Sequence, residues 1–235
     1  MNNSLRWVFG VCVAASLIMV AVALKLWGAA EVRGSAGEAA FLTMAGAVWL
    51  LLATKLFSCL GLSFRDDVEE RHNVAALVAL CGAFMAAALL YAGGSLGEGP
   101  SYWDNFFSAG VAAAGFLVLW ILLELGAGVS VSIAEERDLA SGVRLCGFLL
   151  ALGLLLGRAV AGDWESEMAT ARDFLHDGWP AAVLWAVALT VERFARPSRR
   201  RPFPPWQGYG LLPALLYLAY AAAWLRHLGA WEGMP

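Results

Sequence analysis

Residues 74–94 read VAALVALCGAFMAAALLYAGG, a run opened by Asn73 and followed by no charge until Glu98. A helix needs about 20 apolar residues to cross a bilayer core, so this run predicts a membrane span. Its many alanines and glycines suit close packing against other helices. Outward from it, six further apolar runs lie at 7–27, 40–62, 106–132, 143–162, 179–195 and 208–228, with only short connectors between them. Of the 235 residues, 60% are hydrophobic and 15% charged, where a soluble domain carries about 45–50% and 25%. Such a chain cannot cover itself with polar surface, and it is no disordered, collagenous or disulfide-stapled sequence either. The expected fold is all-α: a polytopic transmembrane bundle of seven helices in a single integral membrane domain over 1–235.

The seven runs are not independent. Glu70–Glu98 aligns without a gap on Glu135–Asp163 at an offset of 65, with ten identities in 29 positions. Among them are Leu80-Cys81-Gly82 on Leu145-Cys146-Gly147, Leu89-Leu90 on Leu154-Leu155, and Gly97 on Gly162. In the preceding runs Phe41 falls on Phe106 and Thr43 on Ser108. The order is shared too: a span, an acidic cluster, an Asn or Asp, a small-residue helix, an acidic turn. This reads as a two-helix hairpin used repeatedly: first helix and connector over 1–39, repeat 1 over 40–105, repeat 2 over 106–178, and a weaker third copy over 179–235. An even number of spans per unit makes the repeat parallel. Inverted repeats are the frequent pattern of alternating-access transporters, so this arrangement points away from them.

The stretch Glu69-Glu70-Arg71-His72-Asn73-Val74-Ala75-Ala76, leading into a small-residue helix with Gly82, resembles domain-of-unknown-function 350, the YjfL-like bacterial inner-membrane family. The resemblance covers roughly residues 40–163; the second pair departs from it by carrying Asp138-Leu139-Ala140 where that family has Asn. It implies a bacterial inner-membrane address and a paired-helix architecture, with a structural or membrane-stress-linked role. It implies no chemistry.

Lys and Arg concentrate on the cytoplasmic side of membrane proteins. With the N-terminus inside, Arg6, Lys55, Arg65, Arg71, Arg137, Arg144, Arg193, Arg196, Arg199, Arg200 and Arg201 fall on the inner side, eleven of sixteen. The expectation is N-in and C-out. Trp7, Trp27, Trp103, Trp164, Trp179, Trp206 and Trp231 fall at run ends, where interfacial aromatics belong. The run Trp7–Leu24 is longer than a signal-peptide core and Lys25 precedes the small residues at 28–30, so the first helix is expected to be retained. Cys12, Cys59, Cys81 and Cys146 sit in apolar runs without a CxxC and read as small apolar fillers.

Ionisable residues inside spans are costly and so single out candidate sites. Lys55, Glu124 and Glu192 stand at comparable depths, which allows a buried pair of Lys55 with Glu124 or Glu192, an ion or proton pathway, or snorkelling to the headgroups. The acidic turns hold Asp66, Asp67, Glu69, Glu70 and Asn73 in one copy and Glu135, Glu136 and Asp138 in the other. Helix capping accounts for them, with a cation site or partner surface as the sharper alternative. Arg193, Arg196, Arg199, Arg200 and Arg201 suit anchoring to anionic lipid. Gly93-x-x-x-Gly97 and Gly153-x-x-x-Gly157 allow close helix approach, within the chain or in a homo-oligomer. Catalysis finds little footing. His72, His176 and His227 lie at run ends, Gly128-Val129-Ser130-Val131-Ser132 lacks the second glycine of a nucleophile elbow, and there is no HExxH or P-loop. The reading is therefore no enzyme, no cofactor, no metal and, at net charge −3, no nucleic-acid partner. The lipid bilayer is the expected partner, with a second copy or membrane-stress proteins beside it. The leading function is a structural inner-membrane component; the alternative is a small-solute or ion transporter using the in-membrane charges.

Overall fold

The computed structural model describes residues 3–197 and 204–229, and among these the chain is helical with no β-strand. The helices are α1 (Asn3–Trp27), α2 (Ala30–Gly34), α3 (Ala36–Cys59), α4 (Val74–Gly94), α5 (Tyr102–Ala127), α6 (Val129–Ala134), α7 (Leu139–Ala159), α8 (Glu167–Gly178), α9 (Pro180–Ala195) and α10 (Leu212–Leu228). Two π-helical segments, Phe64–Glu70 and Gln207–Leu211, precede α4 and α10. Six helices among the described residues are long and apolar enough to cross a membrane, and α8 with α9, bent by 45° between them, is a seventh candidate if the pair counts as one span.

The spans form two layers. One is a row of four parallel helices in the order α1, α4, α7, α10, each packed on the next. The other holds α3, α5 and α9, which run the opposite way and cover the α1–α4, α4–α7 and α7–α10 seams in turn. We call the end where the row helices begin the amino face and the other the carboxyl face. Surrounded in this way, α4 and α7 have 72% of the residues in their most apolar stretch buried, against 22–33% for the other unbroken spans. Their composition permits it. A Cβ on Gly93 would stand 2.1 Å from the Gly157 carbonyl oxygen, and one on Gly153 2.8 Å from the Ala86 Cα. Only residues without side chains let two backbones meet so closely, so both Gly-xxx-Gly motifs are used inside the chain. On the outer helices the large apolar side chains point away from the protein: Met44, Val48, Leu51 and Leu52 of α3 are 55–67% exposed. That inside-out arrangement suits hydrocarbon solvent.

The turns before α4 and α7 make the same bonds 65 residues apart. The Asn73 N–H donates to Asp67 O and the Asp138 N–H to Ser132 O; Arg71 N–H donates to Asp66 O and Glu136 N–H to Val131 O. His72 and Arg137 both take a left-handed backbone with φ of 55°. Asn73 then accepts from Ala76 N–H, and Asp138 from Ala140 and Ser141 N–H, as helix caps. At the carboxyl face the loops lean on one another: Asp163 Oδ1 accepts from Glu98 N–H, and Leu96 O from Gly162 N–H.

Three boundaries differ from expectation. The run 106–132 is two helices, because Gly128 takes φ of 60° and ends α5 at Ala127. The connectors are not bare: α8 occupies 167–178 and α2 occupies 30–34. The run 179–195 is α9, which follows α8 through a 45° bend. At 16 residues α9 reaches about 24 Å, short of a core about 30 Å thick.

Candidate functional site

The most polar place inside the bundle begins with the cap of α7. Asp138 takes the Ser141 backbone N–H at 2.8 Å and the Ser141 hydroxyl at 2.6 Å. One turn on, Arg144 lies on the same helix face and donates from Nη2 to Ser141 Oγ at 2.9 Å. Its Nε and Nη2 donate at 2.7 Å each to the two carboxylate oxygens of Glu192, the planar fork-to-fork pairing that guanidinium and carboxylate favour. Its Nη1 donates at 2.6 Å to the Tyr209 carbonyl. Four positions on stands Pro213, which has no N–H to offer that carbonyl. Arg144 is fully buried and Glu192 is 4% exposed. The group thus ties α7 to α9 and to the segment entering α10, with four of five guanidinium donors engaged. On α10 the Tyr217 hydroxyl is buried without a partner, its ring edge-on to Phe148.

Glu192, one of the three in-membrane candidates, is ion-paired, and its partner is Arg144 where Lys55 was expected. Lys55 pairs with neither carboxylate. It is exposed, off the buried line Leu42, Gly46, Leu50, Ala53, Phe57 of α3, and α3 and α9 sit on different seams of the row. Glu124 is spent on a helix start: its carboxylate accepts the Ser130 N–H at 2.9 Å and the Ser130 hydroxyl at 2.6 Å, bridging the break at Gly128 into α6.

The acidic turns are occupied by structural bonds as well. Asp67, 4% exposed, accepts from Ser63 N–H at 2.8 Å and from Arg71 at 3.4 Å. Glu69 pairs with Arg6 at 2.9 Å, tying α1 to the turn, and Glu70 with Arg65 at 3.4 Å. Asn73, 1% exposed, caps α4 and also donates to the Ile133 carbonyl at 2.7 Å, joining the two equivalent turns. Asp66, Glu135 and Glu136 are exposed. Among the described residues no three His, Cys, Asp or Glu side chains are grouped to hold a metal ion, and the four cysteines are free thiols.

Two of the arginines expected at lipid headgroups turn back onto the protein. Arg193 donates to Gly126 O at 2.7 Å and Arg196 to Ala127 O at 3.4 Å, so both satisfy carbonyls left over at the end of α5. Arg199, Arg200 and Arg201 lie outside the described residues.

From the sequence, Arg144 counts only as an inner-face charge. The signal that could have found it is the cap: Asp138 and Ser141 start the helix at residue 139, not 143, and place Arg144 more than a turn inside it. Compared with protein-family models, curated proteins and solved structures, the chain matches none.

Proposed function

We propose that this chain is a multi-pass bacterial inner-membrane protein, N-terminus inside and C-terminus outside, that serves as a structural, membrane-stress-linked component and not as a solute pathway. The observation that carries this reading is the use made of its in-membrane charges. Glu192 is held bidentate by Arg144 and Glu124 caps α6, so both work as fasteners between helices. A pathway needs polar groups facing an accessible cavity; here the centre of the bundle is the closed α4–α7 seam, packed at backbone distance.

The matching bonds at an offset of 65 support a duplicated hairpin, and the likeness of residues 69–76 to the YjfL-like family supports the bacterial address. The excess of basic residues at the amino face supports the orientation. Flux measurement tests the function. Purified protein in liposomes should pass protons, potassium and small anions no faster than empty vesicles. Flux above that background, lost in Glu124→Gln or Glu192→Gln, would establish the transporter reading instead. Orientation is read by thiol labelling in a Cys-free background: Glu165→Cys should label in intact cells and Ser4→Cys only after permeabilisation.

A further inference from the structure

Two cavities of opposite character meet at Arg158. The first is an apolar groove of about 390 Å³ on the side of the row that α5 leaves uncovered. Its floor is Gly93, Gly153 and Gly157, with Met19 and Val22 of α1 on one wall and Leu225 of α10 on the other. The residues that let α4 and α7 meet at backbone distance have no side chains to fill the space above the seam, so close packing on one side leaves a trough on the other. Along α7 it runs from Gly153 to Arg158, about 8 Å of helix, and reaches Ala161 just past the helix end. Water in such a place would be costly and hydrocarbon would not.

The second is a polar cleft of about 460 Å³ between the end of α7 and α8. Asp163, Glu165, Asp173 and Asp177 line it against Arg158 and Arg172, four carboxylates to two guanidiniums. Arg158 and Ala161 line both cavities, so the two adjoin at the carboxyl face. Passing outward, the order is an apolar trough, a guanidinium, then an acidic cleft.

That is the order of groups in a phospholipid whose headgroup ends in an ammonium. We propose that this surface binds one ethanolamine-type zwitterionic phospholipid: an acyl chain in the glycine-floored groove, the phosphate at Arg158, and the ammonium in the acidic cleft. Guanidinium pairs with phosphate through directed N–H bonds. A primary ammonium brings three N–H donors for carboxylates; a quaternary choline brings none. An anionic headgroup would meet like charge in the cleft. The proposal needs only that α1, α4, α7 and α10 lie in a bilayer, and stands whether or not the protein moves a solute.

The test is native mass spectrometry of the full chain, released from bilayers containing equal amounts of phosphatidylethanolamine, phosphatidylglycerol and phosphatidylcholine with identical acyl chains. One retained lipid is expected, with ethanolamine favoured several-fold over the other two. Glu165 and Asp173 are exposed and form no ion pair among the described residues, so Glu165→Gln with Asp173→Asn should abolish the preference while leaving one lipid bound. Ala161→Phe, which fills the shared mouth, should remove the retained lipid of every class. Met19→Trp on the far wall serves the same purpose should Ala161→Phe fail to fold. Equal retention of the three lipids, preference for the anionic one, no retained lipid, or a preference unchanged in the charge variant would each overturn the proposal.

Discussion

Replacing Glu192 with leucine removes the anion that pairs with Arg144, an arginine that has no contact with solvent. Arg144 would keep its bonds to Ser141 Oγ and the Tyr209 carbonyl but lose both charge-assisted ones. Breaking a buried pair from one side costs about 3–5 kcal/mol, because a charge is left buried and uncompensated. The reverse change, Arg144→Leu, should cost less, since an orphaned carboxylic acid can be neutralised by a proton and a guanidinium cannot. It also leaves the Tyr209 carbonyl without the Arg144 donor, worth about 1–3 kcal/mol. The double variant removes both charges and retains only that smaller cost, so it should be more stable than Glu192→Leu alone. The assay is unfolding in mixed detergent micelles, by denaturing-detergent titration or by melting. For a chain of this size 1 kcal/mol corresponds to about 2–4 °C, so Glu192→Leu should melt roughly 6–20 °C lower. Single variants that each shift stability by less than about 0.5 kcal/mol, or three variants whose effects simply add, would refute the assignment of this pair as a fastener.

Other outcomes follow from the packing. Gly93→Ala drives a methyl to 2.1 Å from the Gly157 oxygen and should destabilise the α4–α7 seam by about 1–3 kcal/mol or more. Gly10→Ala on α1, with nothing within 4 Å of its Cβ, should be neutral or stabilising by up to about 1 kcal/mol in the same unfolding titration. Asn73→Ala loses the α4 cap and strips the donor from the Ile133 carbonyl, which together cost about 2–4 kcal/mol; the amides of the 128–138 turn should lose hydrogen-exchange protection with it. Lys55→Met should leave expression and melting within about 0.5 kcal/mol of the parent, since this side chain is exposed on α3.

Much of this architecture was legible in the chain because bilayer spans obey a local rule. The run at 74–94 coincides with α4 to the residue because Asn73 and Ser95 bound it and no charge interrupts it. The run at 106–132 overshot because hydropathy does not register a left-handed glycine: Gly128 turns the backbone while the apolar character continues through Val131. The run at 143–162 begins four residues late because Ser141 and Gly142 add little hydropathy, although Asp138 is the cap and the helix starts at Leu139.

The candidate charges show the same division. That Glu192 lies inside an apolar run follows from hydropathy alone. Which cation compensates it does not, since depth along a helix carries no information about the direction a side chain faces. Lys55 and Arg144 each lie within a few turns of the amino face, and depth alone does not choose between them. The choice was made by azimuth: residue 55 falls off the buried line of α3, whereas residue 144 shares a face with Ser141 and looks across the α7–α9 contact.

The helical class, the long apolar runs and the offset of 65 were thus properties of the one-dimensional pattern, because each depends on a length of apolar chain or on residues close together in sequence. The partners of the buried charges, the layering of α3, α5 and α9 over the parallel row, and the meeting of an apolar groove with an acidic cleft at Arg158 came only with packing. They depend on which faces of which helices are brought together, and that is settled where glycine and alanine let two backbones approach and where larger side chains hold them apart.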